Sequence, residues 1–299
     1  MNNITLKQLR YFNALARTGH FGQAAEECAV TQPALSVQIK ELETSVGCAL
    51  FERTTREVRL TSFGEDFAER VREILQSVEE LQDMARMSQD QFAGRLRLGI
   101  IPTIAPYMLP KLLAKLSNSH QGVDVRVRET ITPRLIKELQ DGILDLAIVA
   151  LPVSERTLEE FEIFEENLVL VRHATKADMP VPSVADLQSM RLLLLEEGHC
   201  FRDQALAFCN MPATGSRQEL EGTSLSTLVQ MVGAGIGVTL IPEMAVPVET
   251  RSAPVSIAQF NAPQPTRRVG MIWRKTSPLT EQFKDIAALV HDAAMQRRA

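Results

Sequence analysis

Apolar residues in the first ninety positions recur at helical spacing, and those that follow switch between short alternating runs and further helical stretches. Thr5-Leu6-Lys7-Gln8 has the form of a capping box, with Thr5 placed to accept from a first-turn amide and Gln8 to reach back. Leu6, Leu9, Phe12 and Ala16 then share one face, and Gly19 supplies a helix stop. A short second helix is predicted over residues 22–28, where Ala24 and Ala25 are small enough for another helix to approach closely. The turn Ala29-Val30-Thr31 leads into a third helix, capped by Thr31 and carrying Pro33 in its first turn, where a missing amide is harmless. Its apolar face is Leu35, Ile39, Leu42 and Val46; the opposite face carries Pro33, Val37, Lys40 and Thr44, flanked by Ser36.

Small and polar groups with a single cation suit a helix lying in the DNA major groove, since bulk would hold it off the base edges. The same pattern describes an amphipathic helix with a solvated face, and helix spacing alone does not choose between the two. Residues 50–61 then alternate and carry Arg53, Arg56 and Arg59, which predicts a β-wing whose cations meet phosphates beside a docked helix. From Thr61 a helical pattern runs to about residue 89, with Phe67, Val71, Ile74, Val78, Leu81 and Ala85 spaced alternately four and three apart. A helix of about 28 residues extends roughly 42 Å, more than its own small domain covers. A second copy of the chain is the simplest partner for that stripe, with packing against the same chain as the alternative.

Beyond a hinge placed at Phe92-Ala93-Gly94, a strand with Leu96, Leu98 and Ile100 precedes a helix from Ala105, and a second strand is predicted over residues 123–129. A helix from Pro133 and a buried apolar run at 144–150 follow. Further strands are predicted at 168–171, 192–195, 238–241 and 268–273, and a last helix from Leu279. Such alternation makes an α/β domain, whose chain crosses twice between two lobes. The glycines of Gly233-Ala234-Gly235-Ile236-Gly237 follow a helix instead of opening one, so they are turn and packing residues and not a phosphate cradle.

At 299 residues and 45% hydrophobic content the chain has room for two or three cores. It opens on the polar Met1-Asn2-Asn3 without an apolar leader, and no run approaches a membrane span, so a cytoplasmic protein with no membrane partner is expected. A formal charge of −5 excludes a polycation that coats nucleic acid, and leaves any DNA role to local geometry. In a reducing compartment the four cysteines do not make a structural disulfide framework. Cys28 and Cys48 fall on apolar faces and are assigned as small core residues.

Cys200 and Cys209 carry the chemistry of interest. His199 and Arg202 flank Cys200, while Cys209 lies nine positions on, beside Leu206, Ala207 and Phe208. A thiol reacts with peroxide as its thiolate, a form favoured by an imidazole, a guanidinium or a helix N-terminus, and all three are near Cys200 in sequence. The apolar setting of Cys209 suits a neutral, resolving thiol. If residues 201–209 are helical, the two α-carbons stand roughly 13 Å apart, against about 4.4–6.8 Å in a disulfide. That bond closes only if the helix unwinds, which would convert oxidation into local refolding. Two unrelated buried cysteines are the alternative at this point; a metal site is disfavoured because His199 is the one obvious third ligand.

Gln8-Leu9-Arg10-Tyr11-Phe12, Phe21-Gly22-Gln23-Ala24-Ala25, Thr31-Gln32-Pro33-Ala34-Leu35-Ser36 and Leu50-Phe51-Glu52-Arg53 stand in a fixed order, and the run from Leu6 through Thr61 resembles the winged helix-turn-helix of LysR-type transcription regulators. The segment from Gly233 to Pro242 resembles the glycine-rich motif of that family's regulatory domain, whose fold is that of periplasmic solute-binding proteins. Gly198-His199-Cys200, Arg202-Asp203-Gln204 and Cys209 resemble the motif of the family's peroxide-responsive members, whose two cysteines form a reversible disulfide.

The resemblance implies a multidomain α/β protein: a winged helix-turn-helix at 1–64, a dimerising linker helix at 61–90, and a two-lobed regulatory domain with one lobe at 94–165 plus 268–299 and the other at 166–267. It implies that Gln32, Pro33, Ser36, Val37 and Lys40 face the groove while Arg53 and Arg56 hold the DNA backbone. Cys200 becomes the peroxidatic and Cys209 the resolving cysteine, with Thr103, Thr132, His199, Arg202, Asp203 and Arg267 around the peroxide. Implied partners are double-stranded promoter DNA, RNA polymerase and further copies of the chain, as a homodimer through the linker helix and a homotetramer. Hydrogen peroxide is the implied signal, with no cofactor, no metal and no enzymatic turnover. Taken by themselves, Thr103 and Thr132 are helix caps and Arg267 is a solvated charge. The competing switch is a small metabolite between the lobes; the competing enzyme, a thiol peroxidase working through Cys200, would have no use for the DNA-binding head.

Overall fold

The computed structural model describes residues 4–53, 58–87, 94–120, 122–211 and 221–295, which fall into two compact units, Met1–Ala85 and Arg86–Ala299. In the first, α1 (Leu6–Thr18) opens on the expected capping box, with Gln8 N donating to Thr5 Oγ1 at 3.2 Å and Thr5 N to Gln8 Oε1 at 3.0 Å. It stops at Gly19, whose φ of 64° is the left-handed conformation that glycine tolerates. Helix α2 (Phe21–Glu27) starts one residue early because His20 Nδ1 accepts from the amides of Gly22 and Gln23. Helix α3 (Gln32–Val46) has Thr31 at its cap position, but the Thr31 side chain makes no capping hydrogen bond. Leu35, Ile39 and Leu42 of α3 are buried with Phe12, Leu15, Ala24 and Ala25. A two-stranded antiparallel wing follows, β1 (Phe51–Arg53) with β2 (Val58–Leu60).

Thr61 caps α4 (Ser62–Met87) by accepting from Gly64 N at 2.9 Å. The apolar stripe of α4 divides in two, which corrects the expectation of one continuous seam. Ala68 and Val71 are buried in the core of the first unit, and Phe67 and Leu75 pack against it. On the same stripe Ile74, next to Leu75, is 46% exposed and Leu81, two turns on, 64% exposed. The Ala85 side chain, and Phe92 and Ala93 of the expected hinge, lie outside the described residues. Cys48 is also a correction: it follows the left-handed α3 stop at Gly47 and is exposed, while Cys28 is half-buried.

The second unit runs β3 (Gly94–Ile100), α5 (Ala105–Ser119), β4 (Val123–Glu129), α6 (Thr132–Gln140), β5 (Leu146–Leu151), β6 (Leu158–His173), α7 (Val184–Ser189), β7 (Leu194–Leu195), α8 (Cys200–Phe208), β8 (Glu221–Gly222), α9 (Leu225–Gly233), β9 (Thr239–Pro242), α10 (Val246–Glu249), β10 (Val255–Ala258), β11 (Thr266–Arg274) and α11 (Thr280–Met295). Seven of these strands form one sheet, in the order β10-β6-β11-β5-β3-β4 with β9 also on β6. Strand β3 is parallel to β4 and β5, as helical crossovers require.

The 16-residue β6 is far longer than the expected 168–171 strand. Its first half pairs with β11 and its second half with β9 and β10. It thereby joins two hydrophobic cores. One is built on β3, β5, β11, α5 and α11 around Trp273 and Phe283; the other on α8, α9, β9 and the end of β6 around Leu170, Val229 and Ile241. The glycine-rich turn after α9 is a packing device as expected: a Cβ on Gly237 would stand 2.4 Å from the Arg191 carbonyl oxygen, and Gly235 has a φ of 78°.

Candidate functional site

Two parallel crossovers deliver threonines to one place. Thr103 lies just beyond the end of β3 and Thr132 beyond the end of β4, and open α/β sheets bind ligands outside the carboxyl ends of their strands. The second core supplies the other wall. After β7 the chain turns at Gly198, φ 92°, and starts α8 with His199 as N-cap and Cys200 as first residue. Thr103, Thr132, His199 and Cys200, with Ile101, Pro102, Ile131 and Phe201, line a tight pocket with almost no free volume.

Three features define its chemistry. Burial pushes the His199 pKa down, with Glu196 at 3.9 Å opposing, so at neutral pH the imidazole offers a hydrogen bond and not a charge. The Thr132 hydroxyl is buried without a hydrogen-bond partner among the described residues, a state that ordinarily costs about 1–3 kcal/mol. Thr103 Oγ1 accepts from Arg267 Nη1 at 2.9 Å, which leaves the threonine's own proton free to be donated.

Arg267, on β11, is fully buried, which overturns its reading as a solvated charge. Its Nε donates to Glu166 Oε1 at 2.7 Å and its Nη2 to the Thr103 carbonyl at 3.0 Å. The guanidinium carbon stands 5.6 Å from the centre of the Phe201 ring. The helix-cap reading of the threonines is corrected too. Ile104 and Ile131 hold the cap positions of α5 and α6, and neither threonine side chain makes a cap bond.

Arg202 is buried but does not line the pocket: its Nη1 donates to Leu195 O at 3.0 Å and Glu221 Oε1 at 2.8 Å, tying α8 to β7 and β8. Asp203 is exposed in the first turn of α8. The structure therefore gathers Thr103, Thr132, His199 and Cys200, sets Arg267 behind Thr103, and leaves Arg202 and Asp203 out of the pocket lining. Glu166 was missed in the sequence. Only the register of β11 against β6, which sets Arg267 opposite Glu166, reveals the pair.

The other end of α8 is sealed. Cys209 is the C-cap residue and is fully buried in the second core, where desolvation pushes its thiol pKa up to about 11. Cys200, half-buried, instead packs against the first core. Nine residues of helix separate the sulfurs' α-carbons by roughly 13 Å.

In the first unit Gln32, Pro33, Val37 and Lys40 are exposed on α3 and Ser36 is half-buried. Val37, at 54%, is an apolar side chain left in solvent on that face. Arg53 ends β1, and its side chain, like the whole of Arg56, lies outside the described residues. Among the described residues no cluster of histidine, cysteine and carboxylate groups could hold a metal ion, and no helix is long and apolar enough to cross a membrane.

Residues 6–65 match the model of the bacterial regulatory helix-turn-helix proteins of the lysR family, and residues 89–295 match that of the LysR substrate binding domain. The chain is 39% identical over 294 residues to a probable hydrogen peroxide-inducible genes activator of Mycobacterium avium, covering 96% of this chain and 93% of that relative. Full-length OxyR of Pseudomonas aeruginosa, solved as a point variant, superposes with a TM-score of 0.77 at 34% identity, over 96% of this chain and 95% of that one. A peroxide-bound OxyR mutant of Corynebacterium glutamicum superposes with a TM-score of 0.68 at 32% identity, over 98% and 94%. With both of its units matched and relatives aligned over nearly its whole length, the chain belongs to the LysR family of DNA-binding transcription regulators and, within it, closely resembles the OxyR proteins.

Proposed function

We propose that this chain senses hydrogen peroxide through Cys200 and Cys209 and passes the signal to promoter DNA. The observation that carries the reading is α8 itself, a nine-residue helix with one thiol at a polar pocket and the other sealed in a core. The Cys200 thiolate attacks one peroxide oxygen, the O–O bond breaks, hydroxide leaves and takes up a proton to become water, and the sulfur becomes a sulfenic acid. Thr103, Thr132 and His199 hydrogen-bond the peroxide and its departing oxygen, and Arg267 holds Thr103 in place. The unpartnered Thr132 hydroxyl supports this assignment, since a bound peroxide would satisfy it.

The thiol of Cys209 then displaces the sulfenic oxygen as water, forming the disulfide; a cellular thiol reductant reverses it. Because a disulfide needs its α-carbons within about 7 Å, α8 must come apart and withdraw Cys200 from the first core. Arg202 and Asp203 enter this reading as groups of the α8 first turn, Arg202 as its anchor to Glu221 and Asp203 as a negative charge at the helix start. The two cores that β6 joins correspond to regulatory lobes at 94–165 with 268–299 and at 166–267, and unwinding at their junction alters how subunits meet.

On the DNA side, α3 enters the major groove with Gln32, Pro33, Ser36, Val37 and Lys40, and Arg53 and Arg56 hold phosphates. The exposed Ile74 and Leu81 of α4 support a homodimer, two of which make a tetramer that contacts RNA polymerase in the cytoplasm. The test is peptide mass spectrometry of the reduced full-length protein after stoichiometric peroxide, with a promoter footprint before and after. A Cys200–Cys209 link with an altered footprint is expected; two unmodified cysteines would overturn the proposal.

A further inference from the structure

The second unit holds another cleft, of about 580 Å³, walled by α5, β6, α10, β10 and the end of α11. Its lining is divided in chemistry. Tyr107, Phe164, Val246 and Ile257 are apolar or aromatic, while Glu166 and Glu243 bring two carboxylates. Glu166 is already matched by Arg267. Glu243 is not: it is half-buried, Asn167 Nδ2 donates to it at 3.3 Å, and among the described residues no cation pairs with it. Glu249, which Tyr107 of the cleft wall contacts, is buried and accepts from two hydroxyls, Tyr107 at 2.6 Å and Ser226 at 2.5 Å. With Glu166 matched, the cleft presents one carboxylate, Glu243, that no described cation neutralises, beside apolar surface.

We infer that this cleft binds a small organic ammonium ion with an apolar body, the ammonium against Glu243 and the body along Tyr107, Phe164 and Ile257. A bare metal ion would leave the apolar walls unused, and an organic acid would meet like charge. Occupancy is felt at the thiol pocket through a short chain of contacts. Glu166 Oε2 accepts from Met244 N, adjacent to Glu243, at 3.1 Å, and Glu166 Oε1 holds Arg267. Arg267 in turn holds both the hydroxyl and the carbonyl of Thr103, a wall of the Cys200 pocket. A ligand that draws on Glu243 or Glu166 shifts the hydrogen bonds that fix Thr103.

The test uses the reduced full-length protein without oxidant, so it stands apart from the peroxide chemistry. Hexylamine, hexanol and hexanoate are titrated calorimetrically, and iodoacetamide alkylation of Cys200 is timed by peptide mass spectrometry with and without hexylamine. Saturable binding of hexylamine alone, weakened about tenfold by Glu243→Gln and blocked by Val246→Trp, is expected, with an alkylation rate changed about fivefold. Equal binding of hexanol or hexanoate, no saturable binding, or hexylamine affinity untouched by both substitutions overturns the site. Binding with an unchanged alkylation rate overturns the coupling.

Discussion

The two ends of α8 hold the same functional group in opposite surroundings. At the N-terminal end Cys200 is half-buried at a pocket with a hydroxyl left unpartnered and an imidazole kept neutral by burial. At the C-terminal end Cys209 has no exposure and a thiol pushed up to about 11. The difference comes from which core each end faces, since Cys200 packs on the first and Cys209 within the second. On the proposed reading, one helix separates a reactive thiol from a reserve thiol, and its integrity decides when they meet.

Removing the reactive end has the largest effect. Cys200→Ser should reduce sulfenic acid formation at stoichiometric peroxide to background and leave Cys209 unmodified, as read by dimedone labelling; labelling of Cys209 at the wild-type rate would erase the distinction between the ends. Arg267→Met attacks the support of the same end and strands Glu166 as a buried, unpaired carboxylate. Breaking such a pair should lower the unfolding free energy by about 3–5 kcal/mol in urea titrations.

The Cys209 end is probed by alkali. Its thiol titrates near 11 in the fold against an ordinary value of 9.0, so the fold favours the protonated form. The associated stability is complete below pH 9 and disappears as pH rises to 11, an effect of about 3 kcal/mol. Comparing reduced wild type with Cys209→Ala across that window isolates it, because the alanine variant lacks this decline. The smallest effect is at the unpartnered hydroxyl. Thr132→Val should leave thermal stability unchanged or raise it by about 1 kcal/mol while slowing Cys200 oxidation; a faster reaction would deny the hydroxyl a role.

Local chemistry was legible in the sequence because it rests on neighbours along the chain. The capping box at Thr5 and Gln8, the stop at Gly19 and the buried face of α3 depend on short offsets along the chain. Helix α8 and its two differing ends were legible for the same reason, as the apolar setting of Cys209 lies in adjacent positions. What escaped is set by register across distant strands. The first half of β6 is acidic, with Glu159, Glu160, Glu162, Glu165 and Glu166, and shows its pairing only against β11. The charge state of the pocket escaped with it. Arg202, adjacent in sequence, turns to Glu221, whereas Arg267, distant in sequence, comes to Thr103. The division of α4 also needed the fold, since the stripe is periodic throughout and only packing shows where the first unit stops covering it.

The claim that oxidation unwinds α8 is tested most directly by amide hydrogen exchange over residues 200–209, in the reduced protein and after stoichiometric peroxide, with Cys200→Ser treated alongside. The reduced helix should be protected, and the oxidised wild type should lose that protection throughout the segment while Cys200→Ser keeps it. Equal protection in the reduced and the disulfide-linked protein would contradict the account, since it would mean that the two cysteines join without the helix coming apart.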